Sequence, residues 1–278
     1  MTMLCRAGGR HAALALAVFG TAIVLSGGLA MADEIAVPAN IKEAGKLVYC
    51  SDISGPPLGY YDESGKPVGV EVDLGNELAK RLGVTAVWNN TQFDGIIPAL
   101  QAKHCDAILS QLIDKPKRRE VVDFVDYMKA SQSILVDKGN PHGIKSLDDL
   151  SGKKIAVENG TTIQSLVDEQ NKKFAAAGKP PATVVVYPKD TDALQALQFR
   201  QVDAYGTTLE SSSYYIEKAP GIFEVSGDPF NQVAVGIAIR KEDKQLTDAL
   251  GKALAAMKAD GTYTKILTQW KLQGDTYP

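Results

Sequence analysis

The sequence is poor in the residues that carry most enzyme chemistry. Its 278 residues hold three histidines and three cysteines. His104 ends a helical stretch and His142 follows a proline in a loop, and neither has the spacing of zinc ligands. There is no Gly-x-Ser-x-Gly elbow, no phosphate-binding glycine-rich loop and no dinucleotide fingerprint. No metal and no cofactor are therefore expected. Basic charge is not in excess either: 30 Lys and Arg stand against 33 Asp and Glu, a net charge of -3. Such a chain offers no positive field to nucleic acid, and no nucleic-acid partner is expected.

Long apolar runs are also missing, with one exception at the start. Arg6, Arg10 and His11 precede an uncharged apolar run from Ala12 to Leu25. That run is shorter than the roughly 20 residues of a membrane span. It ends at Gly27-Gly28, and Ala30-Met31-Ala32 follows with small residues where a signal peptidase reads. Residues 1–32 thus read as an export signal cleaved before Asp33. Cys5 lies ahead of the apolar run, so it cannot be the lipid-bearing cysteine of a lipoprotein.

The remaining 246 residues keep 28 basic against 33 acidic groups, a net charge of -5. This size suits one large domain or two lobes. Two cysteines survive, Cys50 and Cys105. An oxidising compartment permits a bridge. Yet Cys50 falls late in one strand and Cys105 at the start of another, which predicts Cα atoms beyond the ~7 Å limit and two buried free thiols.

Strands alternate with helices along the chain. Leu47–Cys50, 66–72, Val84–Trp88, 105–109, 154–157, 184–187, 202–205 and Val233–Ile239 read as strands. Amphipathic helices separate them, with starts predicted at Asp73, Asp94, Ser146, Thr161, Thr191, Glu210 and Lys244. Continuous apolar strands between helices predict α/β architecture with parallel sheets covered on both faces. Ligands bind beyond the carboxyl ends of such strands. That rule alone selects Asp52, Ser110, Gln111, Thr161, Thr162 and Thr208.

Five short runs then carry a resemblance. They are Gly69-Val70-Glu71-Val72-Asp73-Leu74, Phe93-Asp94-Gly95-Ile96-Ile97-Pro98-Ala99-Leu100, and Asp106-Ala107-Ile108-Leu109-Ser110 with Pro116-Lys117-Arg118 and Val122-Asp123-Phe124. Next come Leu150-Ser151-Gly152-Lys153-Lys154-Ile155-Ala156-Val157 with Gly160-Thr161-Thr162, and Ala259-Asp260-Gly261-Thr262-Tyr263-Thr264-Lys265-Ile266. In this order they resemble the motifs of the polar amino-acid family of periplasmic solute-binding proteins of ABC importers, across nearly the whole exported chain.

The resemblance implies a two-lobed type II periplasmic binding protein, with parallel-sheet lobes joined by a two-segment hinge. Lobe one would be 33–129 plus 227–278 and lobe two 130–226, with crossings near Ala130–Gln132 and Val225–Gly227. It implies a periplasmic monomer that closes on a carboxylate-bearing solute and works with a membrane permease. Arg118 stands where the family's arginine clamps the solute α-carboxylate, a geometry that a guanidinium fork suits. Thr161 and Thr162 open a helix whose free amides welcome an anion. Ser110 is the small polar group at a strand end, Phe93 an aromatic wall, and Asp52 an acid for a distal cation.

The departures bear on the ligand. Gly55 and Leu58 replace aromatic residues, which leaves Tyr60 or Tyr61 as substitute walls. Ile113 replaces a hydroxyl. Thr208 replaces the Asp that pairs with the α-ammonium, and a neutral hydroxyl is a poor partner for a buried cation. Glu158 or Glu210 could compensate. These changes imply a solute with a carboxylate but an unusual or absent α-ammonium: an N-substituted amino acid, an opine-like conjugate or a small organic acid. The rival expectation is a periplasmic dehydratase of cyclohexadienyl acids on the same scaffold, with Glu158 or Glu210 as acid.

Overall fold

The computed structural model describes residues 35–278, so the export signal, its cleavage point and Cys5 lie outside the described residues. In chain order the strands are β1 (Lys46–Ser51), β2 (Ser54–Gly55), β3 (Gly59–Tyr61), β4 (Pro67–Val68), β5 (Thr85–Asn90) and β6 (Ala107–Ile108). They continue with β7 (Val122–Asp137), β8 (Lys154–Glu158), β9 (Thr183–Tyr187), β10 (Ala204–Thr208) and β11 (Phe223–Arg240). Eight of them form one sheet in the order β5-β1-β6-β11-β7-β10-β8-β9, and β2, β3 and β4 form a small second sheet.

The expectation of parallel sheets holds only at the two sides. β1 runs parallel to β5 and β6, and β8 parallel to β9 and β10. Between these trios lie the two longest strands, β7 with 16 residues and β11 with 18, antiparallel to each other. β11 is also antiparallel to β6, and β7 to β10. A strand of that length spans about 50 Å at roughly 3.3 Å per residue. One strand crosses from the first trio to the second and the other returns, so antiparallel pairing is forced. The sequence reading missed β7 because Asp123, Asp126, Lys129, Ser131, Gln132 and Ser133 interrupt its apolar run.

Each trio buries apolar residues on both faces. Around β1, Leu47 and Tyr49 pack with Leu74, Leu78, Leu250 and Met257, while Cys50 packs with Ile96, Leu100 and Ile108. Around β8, Ile155 and Val157 pack with Ile163, Val167 and Phe174, while Ala156 packs with Ala193, Leu197 and Tyr205. Alternation along β1 and β8 sends successive side chains to opposite helices.

Three local readings are corrected. The first full helix runs Val70–Arg81, starting before Asp73. Gly69 precedes it at φ +136°, where a Cβ would sit 2.1 Å from the Leu58 carbonyl oxygen, so this tight entry admits only glycine. The helix assigned to Thr191 begins at Asp190 instead, without a side-chain cap. Asp94 caps nothing; it lies in a 3-10 turn, Phe93–Gly95, ahead of helix Ile96–Gln101. The Ser146 start is as read, its Oγ accepting from Asp148 N at 3.2 Å.

The cysteine reading is overturned. Cys50 and Cys105 form a disulfide with Cα atoms 5.6 Å apart. β6 lies directly beside β1, with Cys50 facing Ile108 and Tyr49 facing Ala107. β6 is only two residues long, and Asp106 N donates to Val48 O at 2.8 Å. The chain entering β6 is thereby drawn against β1, so Cys105 lies far closer to Cys50 than a start-versus-end comparison of the strands suggests.

Candidate functional site

The ends of β1, β6, β8 and β10 converge on one cavity. All ten sequence candidates line it: Asp52, Phe93, Ser110, Gln111, Ile113, Arg118, Glu158, Thr161, Thr162 and Thr208. Hydrogen bonds join its two walls. Asn159 Nδ2 donates to Asp94 Oδ2 at 2.7 Å, Asp190 N to Ser54 Oγ at 3.2 Å, and Gln111 Nε2 to Thr208 Oγ1 at 3.3 Å. Gly160, at φ +77°, lets its loop approach Asp94 so closely that a Cβ would meet the Asp94 Cα at 3.0 Å.

Arg118 belongs to a single helical turn, Pro116–Arg119, opened by proline. Its neighbours Lys117 and Arg119 face solvent, but Arg118 is only 8% exposed. Nη1 donates to Ile113 O at 3.0 Å and Nη2 to Gly160 O at 3.4 Å, and the guanidinium carbon lies 5.5 Å from the Phe93 ring centroid. Among the described residues it makes no ion pair. Burial pushes its pKa down to about 10. Arg119, by contrast, is satisfied by a fork onto Asp114, Nε donating at 2.7 and 2.8 Å. A buried guanidinium with no carboxylate partner is a place for an anion.

Thr161 caps helix Thr162–Ala176, its Oγ1 accepting from Gln164 N at 3.4 Å and donating to Glu158 O at 2.7 Å. Thr162 Oγ1 is buried without a partner. Ser110 Oγ accepts from Asp52 N at 2.8 Å, which fixes the loop after β1. Asp52 Oδ2 in turn accepts from Phe93 N at 3.0 Å. Thr208 caps helix Leu209–Lys218 and presents its hydroxyl to Gln111.

Of the two compensating acids, only Glu158 lines the cavity. Glu210 is buried one side chain behind it, accepting from Gln111 Nε2 at 3.3 Å, and burial raises its pKa to about 7. The substitute aromatic walls are not there. Tyr60 packs at 5.7 Å from Tyr214 and 6.3 Å from Trp270, Tyr61 is exposed, and neither lines the cavity.

Glu71, Asp190 and Gln132 are polar lining residues that the sequence reading missed. Glu71, 1% exposed, accepts from Gln111 N at 2.5 Å and from the Tyr127 hydroxyl, and burial raises its pKa to about 7. Asp190 accepts from the hydroxyls of Tyr205, Thr207 (3.2 Å) and Tyr215 (2.8 Å). Burial still holds it up at about 6. Gln132, on β7, is 1% exposed and its Nε2 has no partner. An acid inside the apolar stripe of Val70–Arg81 was a usable signal for Glu71; nothing local marked the other two.

The residues from β1 to the last helical turn match a known family model over 47–273, that of the bacterial extracellular solute-binding proteins, family 3. The chain belongs to that family. The L-cystine-binding protein TcyJ of Escherichia coli K12 is 31% identical over 83% of this chain and 84% of its own length. The histidine-binding periplasmic protein of the same strain is 30% identical over 91% and 95%. Among solved structures, an ancestral arginine-binding protein bound to arginine superposes with a TM-score of 0.76 at 37% identity, covering 81% of this chain and 98% of that one. An ancestral amino acid-binding protein, a precursor of cyclohexadienyl dehydratase, gives 0.76 at 35%, covering 83% and 97%. The fold is the two-lobed α/β architecture of such receptors, and the relatives are amino-acid-binding proteins of transport systems. Among the described residues no helix is long and apolar enough to cross a membrane, and no acid, histidine or cysteine cluster could hold a metal ion.

Proposed function

We propose that the chain is a periplasmic receptor of an ABC importer that closes on a small, amino-acid-derived carboxylate and presents it to a membrane permease. The observation that carries this is Arg118, a buried guanidinium without an acidic partner, lining the cavity between the two walls. A solute carboxylate completes it with two parallel charge-assisted hydrogen bonds, and Thr162 with the helix start adds donors for the same group. The lobes are 33–129 with 227–278, and 130–226. β7 and β11 form the hinge, and contacts between the cavity walls exist only when the lobes meet. A solute bound to both walls therefore shifts the population toward closure. Export by residues 1–32 and action as a monomer complete the reading.

The α-position of the solute faces Thr208 and Gln111, both neutral, with Glu210 set back behind them. This favours an N-substituted amino acid or opine-like conjugate over one with a free α-ammonium. A plain organic diacid fits less well, since Asp52, Glu158 and Asp190 already crowd acid into the far end. A thermal-shift screen of amino acids, Nα-acyl amino acids, opines and organic acids tests this. Ligand at 100 times its Kd adds about 2.7 kcal/mol, and the N-substituted members are expected to shift most. Tight calorimetric binding of an unmodified amino acid removes the α-amine clause; a shift unchanged in Arg118→Ala removes the receptor reading.

One observation favours dehydratase chemistry as a second reading: Glu158 lies buried on the cavity wall, and burial beside Asp52 and Asp190 raises its carboxyl above the ordinary range, as suits a general acid. Ultraviolet assay of arogenate and prephenate decides, and no turnover is expected.

A further inference from the structure

Of the non-glycine residues that line the cavity, Gln111 alone has a left-handed backbone, at φ +44°. Glycine takes that conformation freely, whereas a side chain there costs energy. A strained residue on a site wall points to a side chain that the site needs. The strain is pinned from behind by Glu71, a carboxyl 1% exposed that accepts the Gln111 N–H at 2.5 Å. The side chain then reaches the opposite wall. Its Nε2 carries two hydrogens and lies 3.3 Å from both Thr208 Oγ1 and Glu210 Oε2. Thr208 Oγ1 also receives the Ser211 N–H at 3.5 Å, the cap of helix Leu209–Lys218. Glu210 Oε1 accepts from Ser131 N at 3.4 Å. Glu210 is 3% exposed and does not line the cavity, while Gln111 and Thr208 do. The Gln111 amide thus stands between the solute space and a buried acid that makes no ion pair among the described residues.

We propose that Gln111 is a specificity-determining residue whose amide occupies the contact that a solute ammonium would make with Glu210. An ammonium and a primary amide both donate N–H to a carboxylate, but only one of them fits in front of Glu210. The solute's place follows from Arg118. Its Nη1 donates to Ile113 O at 3.0 Å, two residues after Gln111. A carboxylate held there brings the adjoining carbon of the solute toward the Gln111–Thr208 bridge. A free amine on that carbon finds Thr208 Oγ1 and Glu210 Oε2 already taken, and sheds its water without a replacement. An acylated nitrogen carries no charge and needs no such partner. The inference rests on the receptor reading and deepens it: selection against a charged amine comes from one side chain masking an acid, not from the lack of an acid.

The test is calorimetry on the exported chain with leucine, glutamine and arginine, each against its Nα-acetyl form. The tails differ, so the comparison does not depend on what the far end accepts. The unaltered chain is expected to bind the acetyl member of a pair more tightly. Gln111→Gly keeps the backbone conformation without strain and uncovers Glu210. In this variant the affinity ratio of free to acetylated amine is expected to rise at least about tenfold, the scale of a gained buried charge contact. Gln111→Asn tolerates a positive φ but is one methylene too short for the bridge, and is expected to move the ratio the same way. Adding Glu210→Gln to Gln111→Gly is expected to return the ratio to that of the unaltered chain. A merely structural role moves both members of a pair together. An unchanged ratio, a gain that survives Glu210→Gln, or no binding of any of the six to Gln111→Gly overturns the proposal. The receptor reading is judged apart: it stands while Arg118→Ala abolishes binding of whichever carboxylate the unaltered chain takes, and falls if that binding persists.

Discussion

At one end of the cavity a lone guanidinium waits for charge; at the other, three carboxyls, Asp52, Glu158 and Asp190, crowd together. The first end is built by short stretches, Ser110 to Arg118 and Gly160 to Thr162, each positioned by its own turn or helix start. The second is assembled from Asp52, Glu158 and Asp190, segments that meet only because β1, β8 and the helix Asp190–Gln198 point at one space. On the proposed reading, a solute enters with its carboxylate toward Arg118 and away from the three carboxyls.

The strongest way to break this contrast is at the cationic end. Arg118→Ala is expected to weaken solute binding by about 30-fold or more, the usual consequence of truncating a buried charge partner (about 2–5 kcal/mol). Calorimetry reads it, and near-normal affinity would remove the polarity. The next largest effect is on stability rather than polarity. Cys50→Ser with Cys105→Ser opens a link between residues 55 apart. It is expected to cost about 4 kcal/mol in urea unfolding by the loop-entropy rule, while the preference for one tail over another persists. Asp190→Asn removes the charge that three hydroxyls serve, at an expected cost of about 1–3 kcal/mol in urea unfolding.

The smallest effect is a slope. Glu71, raised from 4.5 to about 7, keeps its proton in the folded protein at pH values where the unfolded chain has lost it. The folded state then binds more protons, so this contribution is fully present below about pH 4.5 and is lost as pH rises through 7. Glu71→Gln should remove that decline from the urea midpoints measured between pH 5 and 7.5; an unchanged slope would locate the titration elsewhere.

The cationic end was legible in the sequence because its signals are local. A proline-opened turn, a Gly-Thr-Thr helix start and polar residues closing apolar strands each announce themselves within a few positions. The same locality explains the helices at Ser146 and Leu209–Lys218. Asp190 was invisible for the opposite reason: an acid at the first turn of a helix is ordinary, and only Tyr205, Thr207 and Tyr215 arriving from other elements bury it. The disulfide failed similarly, because adjacency of β1 and β6 is a property of strand order rather than of either strand. β7 hid behind its own polar residues: Gln132 lines the cavity, Ser133 bonds Ser212, and Asp123 and Asp126 pair with surface lysines and Arg119.

A crystal structure of the exported chain with its tightest-binding carboxylate solute tests the account most directly. The account predicts the solute carboxylate on both Arg118 Nη atoms, inside the cavity between the two walls. A solute bound in the reverse direction, or seated away from Arg118, would contradict it.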